Sequence, residues 1–140
     1  MEKVYSSLGS NEGDREKNIR QALSLMDERF GTPYSRLSSL LETKSWGFEG
    51  ADFLNCAVMY ELEGITPSET LEAVKKIESE LGRTGSPEYD SEGRRIYRNR
   101  PIDIDILYFG DRKVDTPSLK IPPPLMEQRD FVRIPLSEIL

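Results

Sequence analysis

Arg100-Pro101-Ile102-Asp103-Ile104-Asp105-Ile106-Leu107-Tyr108-Phe109-Gly110 alternates aliphatic and acidic side chains between a proline and a glycine. A two-residue period is the pattern of a strand with unlike faces, because successive side chains point to opposite sides. Ile102, Ile104 and Ile106 then share one face, and Asp103 and Asp105 share the other. Pro101 opens the strand, which is expected to run from Ile102 to Phe109. Three isoleucines on one face place it in the middle of a core, so the acids emerge on the side away from that core.

The same alternation extends to the strand predicted over Asp52 to Glu63. Leu54, Cys56, Val58, Tyr60 and Leu62 share its apolar face, with Phe53 and Asn55 opposite. Val4 to Leu8 reads as a first strand, broken by Gly9-Ser10-Asn11, and Arg36 to Thr43 as another. Between them Ile19, Ala22, Leu23, Met26 and Phe30 recur at helical spacing before the stop signal Gly31. A second helix starts at Thr66, with Pro67 at its first position and Glu69 completing a capping box. It continues through Leu71, Val74, Ile77 and Leu81 to Gly82. The order β-α-β-β-α-β is that of a ferredoxin-like α+β sandwich, an antiparallel sheet with two main helices on one face. If the aliphatic faces lie under the helices, Phe53, Asn55, Asp103 and Asp105 come out together on the uncovered side. Residues 111–140 are proline-rich and read as an irregular wrap, with a short helix near Met126 to Phe131.

Composition narrows the chemistry. A chain of 140 residues with 36% hydrophobic and 31% charged residues fits one globular domain spanning 1–140. No apolar run approaches the roughly 18 residues that cross a bilayer, and the N-terminus lacks a signal-peptide layout. One cysteine, Cys56, excludes an internal disulfide and a thiolate metal cluster. These features predict a cytoplasmic protein. A net charge of −6 argues against nucleic-acid and anionic-membrane partners. The chain contains no histidine, so Ser-His and Cys-His nucleophiles and imidazole-based zinc sites are excluded.

What remains is carboxylates, arginines, lysines and hydroxyls. Asp103 and Asp105 are the sharpest feature: at i and i+2 on one strand face they stand roughly 7 Å apart. Aspartate is a poor strand former, and a divalent cation with hard oxygen ligands, Mg²⁺, would offset their repulsion. An isolated D-x-D is more readily a solvated strand face, but the flanking isoleucines, which imply a central, well-buried strand, reverse that preference. Glu78 borders the apolar stripe of its helix, where on its own it reads as a surface glutamate paired with Lys75. Residues 84–99 have neither period, and such a long loop in a compact domain suggests function. With its flanks it carries Arg83, Arg94, Arg95, Arg98, Arg100, Tyr89 and Tyr97, which suits a lid over phosphates. Gly9-Ser10-Asn11 lacks the spacing of a P-loop.

Arg100 to Gly110 closely resembles the signature of the 6-hydroxymethyl-7,8-dihydropterin pyrophosphokinases. The G-S-N at Gly9, D-F-L-N at Asp52, I-E-S-E-L-G-R at Ile77 and I-P-L-S-E-I at Ile134 are similar to that family's landmarks, in its order. The resemblance covers nearly the whole chain. It implies a ferredoxin-like fold and transfer of diphosphate from ATP to the pterin hydroxymethyl group, with AMP leaving. Asp103 and Asp105 would then bind two Mg²⁺ ions, and Arg83 and Arg100 would act on the transferring phosphates. Leu71, Glu78 and Ile106 fall at nucleotide-pocket positions, with Arg129 a basic residue near the nucleotide. Phe53 and Phe131 would sandwich the pterin while Asn55 and Thr43 bond its edge. Two departures stand out: Pro123 occupies the place of a family histidine, whose phosphate contact Lys120 would replace, and Tyr97-Arg98-Asn99 occupies that of Trp-Gly-Pro. The protein is expected to act as a monomer on these two small molecules. Two rival readings use the same residues: a ferredoxin-like binding module for a ligand or RNA, and a metal-dependent nucleotidyl transferase or nuclease.

Overall fold

The computed structural model describes residues 1–43, 52–82, 101–124 and 126–140, and the backbone of 88–89 and 95–96. In chain order the elements are β1 (Glu2–Ser10), α1 (Arg15–Phe30), β2 (Arg36–Leu37), β3 (Leu41–Thr43), β4 (Phe53–Leu62), α2 (Pro67–Glu80), β5 (Glu88–Tyr89), β6 (Arg95–Ile96), β7 (Asp103–Phe109), β8 (Val114–Asp115), β9 (Lys120–Ile121) and α3 (Asp130–Ile139). The main sheet runs β2/β3–β4–β1–β7, antiparallel throughout. With β2 and β3 counted as one strand, this is the expected ferredoxin-like sandwich.

Local chemistry sets the helix ends. The Asp14 carboxylate accepts the Lys17 amide at the start of α1, and Gly31, at φ 71°, turns the chain out of its end. Only a residue without Cβ takes that left-handed conformation at little cost. The capping box of Thr66 and Glu69 forms as predicted, with bonds of 3.0 and 3.1 Å. The buried stripes of both helices meet Val4, Leu8, Val58, Ile102, Ile104, Ile106 and Phe109 in the main core. Tyr60, fully buried there, donates its hydroxyl to Asp27 at 2.5 Å and meets Phe30 edge-on.

The structure corrects the sequence in four places. β1 continues through Gly9 and Ser10, so these residues belong to the sheet. The strand expected over Arg36 to Thr43 is split at Ser38, where one extra residue enters the pairing with β4. Ser38 fills that bulge: its hydroxyl accepts the Ala57 amide at 2.8 Å and its own amide donates to the Ala57 carbonyl. The segment 84–99 contains a two-stranded hairpin, β5 with β6, rather than loop alone; its remaining residues lie outside those described.

The largest correction is α3. The short helix expected near Met126 to Phe131 is a 3-10 turn at Met126–Gln128 followed by ten α-helical residues. Val132, Leu136 and Ile139 of α3 form a second apolar cluster with Ala57, Met59 and Leu107 on the sheet face opposite α1 and α2. Leu107 shares that face with Asp103 and Asp105 by alternation, and the slip in β1–β7 register between Tyr5 and Ser6 leaves it as the extra residue of a bulge, after which Tyr108 turns to the same cluster and Phe109 to the main core. The expected uncovered face is thus roofed by α3 at one end. No helix among the described residues is long and apolar enough to cross a membrane.

Glu138 pins α3 to the sheet edge. Its carboxylate accepts the Ser39 amide at 3.0 Å and the Ser39 hydroxyl at 2.8 and 2.9 Å, and these bonds, the backbone one foremost, hold its carboxyl below the ordinary glutamate range. A depressed value stabilises the fold above the unfolded-state value of 4.5 and stops doing so as pH falls through the lowered one. Glu138→Gln should therefore melt below the parent at neutral pH, with the gap closing as pH falls below 4.5 and through the lowered value. A gap that stays constant across thermal melts from neutral to acid pH would remove Glu138 as the anchor.

Candidate active site

Strand register assembles the site. On the face opposite α1 and α2, Gly9 stands between Asn55 of β4 and Asp103 of β7, and Ser7 between Ala57 and Asp105. Thr43 pairs with Phe53 at the mouth of the same face. Residues far apart in sequence thus form two adjacent rows across three strands. The roof of α3 lies over Ala57, Met59 and Leu107. Beyond it Phe53 and Asp103 are half-buried and Asp105 is exposed.

The neutral end of the site is tightly specified. The Asn55 side chain is 2% exposed, and its amide nitrogen donates to the Thr43 hydroxyl at 2.8 Å. That bond leaves the Thr43 proton able to donate outward and turns the Asn55 carbonyl oxygen over Gly9. A Cβ on Gly9 would stand 2.8 Å from that oxygen and 3.3 Å from Phe53 Cδ1. Gly9 therefore lets both side chains lie down over β1. The site gains one ring face, one acceptor and one donor side by side, which suits a flat heterocycle with a hydrogen-bonding edge. Sequence reading missed this role; the available signal was a glycine inside an apolar strand in a chain that also carries Phe-x-Asn on another.

The turn after β1 is braced by its own polar groups. Asn18 donates to the Ser10 hydroxyl at 3.2 Å and to the Glu12 carbonyl at 2.8 Å. Arg15 donates to the Asp52 carbonyl at 2.8 Å and pairs with Glu42 at 3.4 Å, joining the start of α1 to the β3–β4 rim.

Phe131 lies half-buried at the start of α3, against the second cluster, with the Arg129 guanidinium 6.0 Å from its ring centroid. The helix thus brings an aromatic ring and an arginine to the site face from its roofed end.

The expected nucleotide positions lie elsewhere. Leu71 and Glu78 are on α2, and Ile106 is on β7, the strand α2 packs beside. Ile106 is 4% exposed in the helix-side core, so its side chain is not on the aspartate face, and Leu71 is half-buried against that core. Glu78 is not the surface residue expected: it is 3% exposed, although Lys75 does approach it, at 3.6 Å. Lys120 lies on the β8–β9 hairpin, where it pairs with Asp115 at 2.5 Å. Arg83, Arg100 and the other lid arginines fall outside the residues whose side chains are described.

The donor set fits a magnesium–nucleotide complex. Asp103 and Asp105 offer hard carboxylate oxygens on one face, and no group of three or more acidic, histidine or cysteine ligands occurs among the described residues. Mg²⁺ is commonly held by one or two carboxylates together with water and substrate phosphates, so two acids on an accessible face are the right complement. Like charges about 7 Å apart repel by roughly 1–2 kcal/mol in a partly solvated setting, which a dication relieves. Thiol chemistry has no place here: burial pushes Cys56 up to about 12. An RNA-binding sheet presents basic and aromatic side chains, whereas this face sets the acids Asp103 and Asp105 beside its aromatic and basic groups.

Comparison with known proteins follows the same line. A family model described as 7,8-dihydro-6-hydroxymethylpterin-pyrophosphokinase matches residues 5–140. A 2-amino-4-hydroxy-6-hydroxymethyldihydropteridine pyrophosphokinase of Porphyromonas gingivalis is 44% identical over 97% of this chain and 89% of its own length. One of the same name from Bacillus subtilis is 40% identical over 97% of this chain and 77% of its own. A mitochondrial folate synthesis bifunctional protein of Pisum sativum is 40% identical over 99% of this chain, which spans 25% of that larger protein.

Gly9→Ala is the sharp test of the neutral end. The new methyl group meets the tip of a side chain, so Asn55 should turn aside and the fold persist. Pterin affinity should fall about ten-fold, the loss of one well-placed hydrogen bond, while nucleotide affinity holds, as read by calorimetric titration. Equal losses for both ligands would mean that Gly9 supports the sheet rather than the pterin.

Proposed function

We propose how this chain, which belongs to the 7,8-dihydro-6-hydroxymethylpterin-pyrophosphokinase family, carries out its reaction. That reaction transfers diphosphate from ATP to the hydroxymethyl group of 6-hydroxymethyl-7,8-dihydropterin in folate biosynthesis, giving AMP and the pterin diphosphate. The observation that carries the mechanism is the pair of rows on one sheet face, with Asn55 and Asp103 on either side of Gly9.

The pterin ring lies over Gly9 between Phe53 and Phe131, its edge bonded by the Asn55 carbonyl oxygen and the Thr43 hydroxyl. That pose directs the hydroxymethyl arm along the row toward Asp103 and Asp105. The two aspartates hold two Mg²⁺ ions, which when bound would neutralise phosphate charge. Arg83 and Arg100, together with Arg129, orient the phosphate chain, and the α2–β7 seam of Leu71, Glu78 and Ile106 receives the rest of the nucleotide. Lys120 substitutes for the histidine replaced by Pro123. The hydroxyl then attacks the β-phosphorus in line with the leaving AMP oxygen. A new carbon-bound O–P bond forms as the α–β bridging bond breaks, and the hydroxyl proton passes to solvent or phosphate. Positioning and charge neutralisation supply the catalysis, so the absence of histidine is no handicap. Residues 1–140 act as one pyrophosphokinase unit, as a cytoplasmic monomer, with residues 84–99 as the lid.

Asp103→Ala and Asp105→Ala should each lower Mg²⁺-dependent turnover by about a thousand-fold. Both should fold, because neither side chain belongs to the apolar clusters that hold the sheet and helices together. Near-normal turnover in both variants at ordinary Mg²⁺ concentrations would refute the metal assignment.

A further inference from the structure

β7 is the last strand of the main sheet and among the described residues pairs with β1 alone. Every second amide of such an edge strand points away from the sheet and needs another partner. At Ile104 that partner is Glu78: its Oε2 accepts the Ile104 amide at 2.9 Å, with the carboxylate 3% exposed. The amide thus held lies between the two aspartates in sequence. The second carboxylate oxygen, Oε1, stands 3.6 Å from the Lys75 ammonium, whose side chain is 59% exposed and remains hydrated.

Burying a carboxylate is costly, and an apolar residue of similar size beside β7 would fill the space as well. What the carboxylate does accounts for its place: it accepts the β7 amide that the sheet leaves over, which an apolar side chain could not. We propose that Glu78 is a positioning residue for the phosphate-transfer site. By clamping the Ile104 amide it fixes the height and twist of β7, and with them the spacing of Asp103 and Asp105. The assignment rests on the aspartates being the metal ligands, and it gives Glu78 a role in the strand in addition to its place in the nucleotide seam. Glu78 reaches β7 from α2, on the helix side of the sheet, whereas Asp103 and Asp105 face the other side.

Hydrogen exchange in the free protein, without metal or nucleotide, gives the first reading. The Ile104 amide should exchange at least about a hundred-fold more slowly than an unstructured amide, and Glu78→Leu should abolish most of that protection. Mn²⁺ binding measured at a saturating concentration of a non-hydrolysable ATP analogue, so that nucleotide affinity does not enter, gives the second. It should weaken about ten-fold or more in Glu78→Leu and about three-fold or less in Glu78→Gln, which keeps an acceptor for the amide. Thermal stability separates positioning from packing, because a leucine in place of a buried charge is often neutral or stabilising. A structural role alone would leave Mn²⁺ binding intact in a well-folded leucine variant, and that result overturns the proposal. Rapid exchange of Ile104 in the parent protein overturns it too, even if the leucine variant does not fold. Asp105→Asn is the control: if it binds Mn²⁺ as the parent does, the metal assignment falls as well. If Asp105→Asn loses Mn²⁺ while Glu78→Leu keeps it, only the role of Glu78 falls.

Discussion

Side chains on a strand alternate between two environments, and β7 spends that alternation on two incompatible requirements. Ile102, Ile104 and Ile106 go into the core under α1 and α2, each at most 4% exposed. Asp103 and Asp105 go to the opposite face, where they can meet charged phosphates. Neither set could be moved by one residue without placing acids in the core and isoleucines in the site. The register with β1 carries this division across the sheet, so Gly9, Asn55 and Thr43 inherit their places from the same pairing. The bulge at Leu107 shifts it by one residue, so that Leu107 and Tyr108 meet the α3 cluster while Phe109 returns to the main core.

The two ends of the site obey different physics. At the Asn55 end the groups are neutral and buried, and the Asn55–Thr43 bond fixes which atom donates and which accepts. Such a surface discriminates by unpaired hydrogen bonds, since a ring lacking the right edge would leave a buried acceptor unsatisfied. At the aspartate end the groups are acidic, with Asp103 half-buried and Asp105 exposed, as the proposed exchange of a hydrated cation and a polyphosphate would require. Glycine at position 9 separates the two ends and lets Asn55 and Phe53 lie close to the sheet.

Much of this was legible in the sequence because it depends on period and on short-range chemistry. The faces of β4 and β7, the stripe of α1 and the capping box of α2 each follow from residues within a few positions of one another. The features that escaped depend on long-range partners. Gly9 read as a strand breaker because glycine punctuates sequences; only the Asn55 and Phe53 side chains lying over it explain why it stands inside β1. α3 read only as a short helix near Met126 to Phe131 because prolines over residues 111–140 suggest an irregular wrap, yet Val132, Leu136 and Ile139 bury a face on the sheet that holds the helix through Pro135. Glu78 read as a surface acid because the free edge of β7 is invisible until the strand order is known. The family resemblance supplied what periodicity could not, namely the reaction, and the matched relatives carry the same name over most of the chain.

The most direct measurement is a product analysis with ATP, Mg²⁺ and 6-hydroxymethyl-7,8-dihydropterin. Two carboxylates on a strand face could serve displacement at any of the three phosphorus atoms, and the products report which is attacked. The account predicts AMP and pterin diphosphate in equal amounts, both abolished when the pterin or the Mg²⁺ is withheld. ADP with a monophosphorylated pterin, or free diphosphate with an adenylylated one, would contradict it.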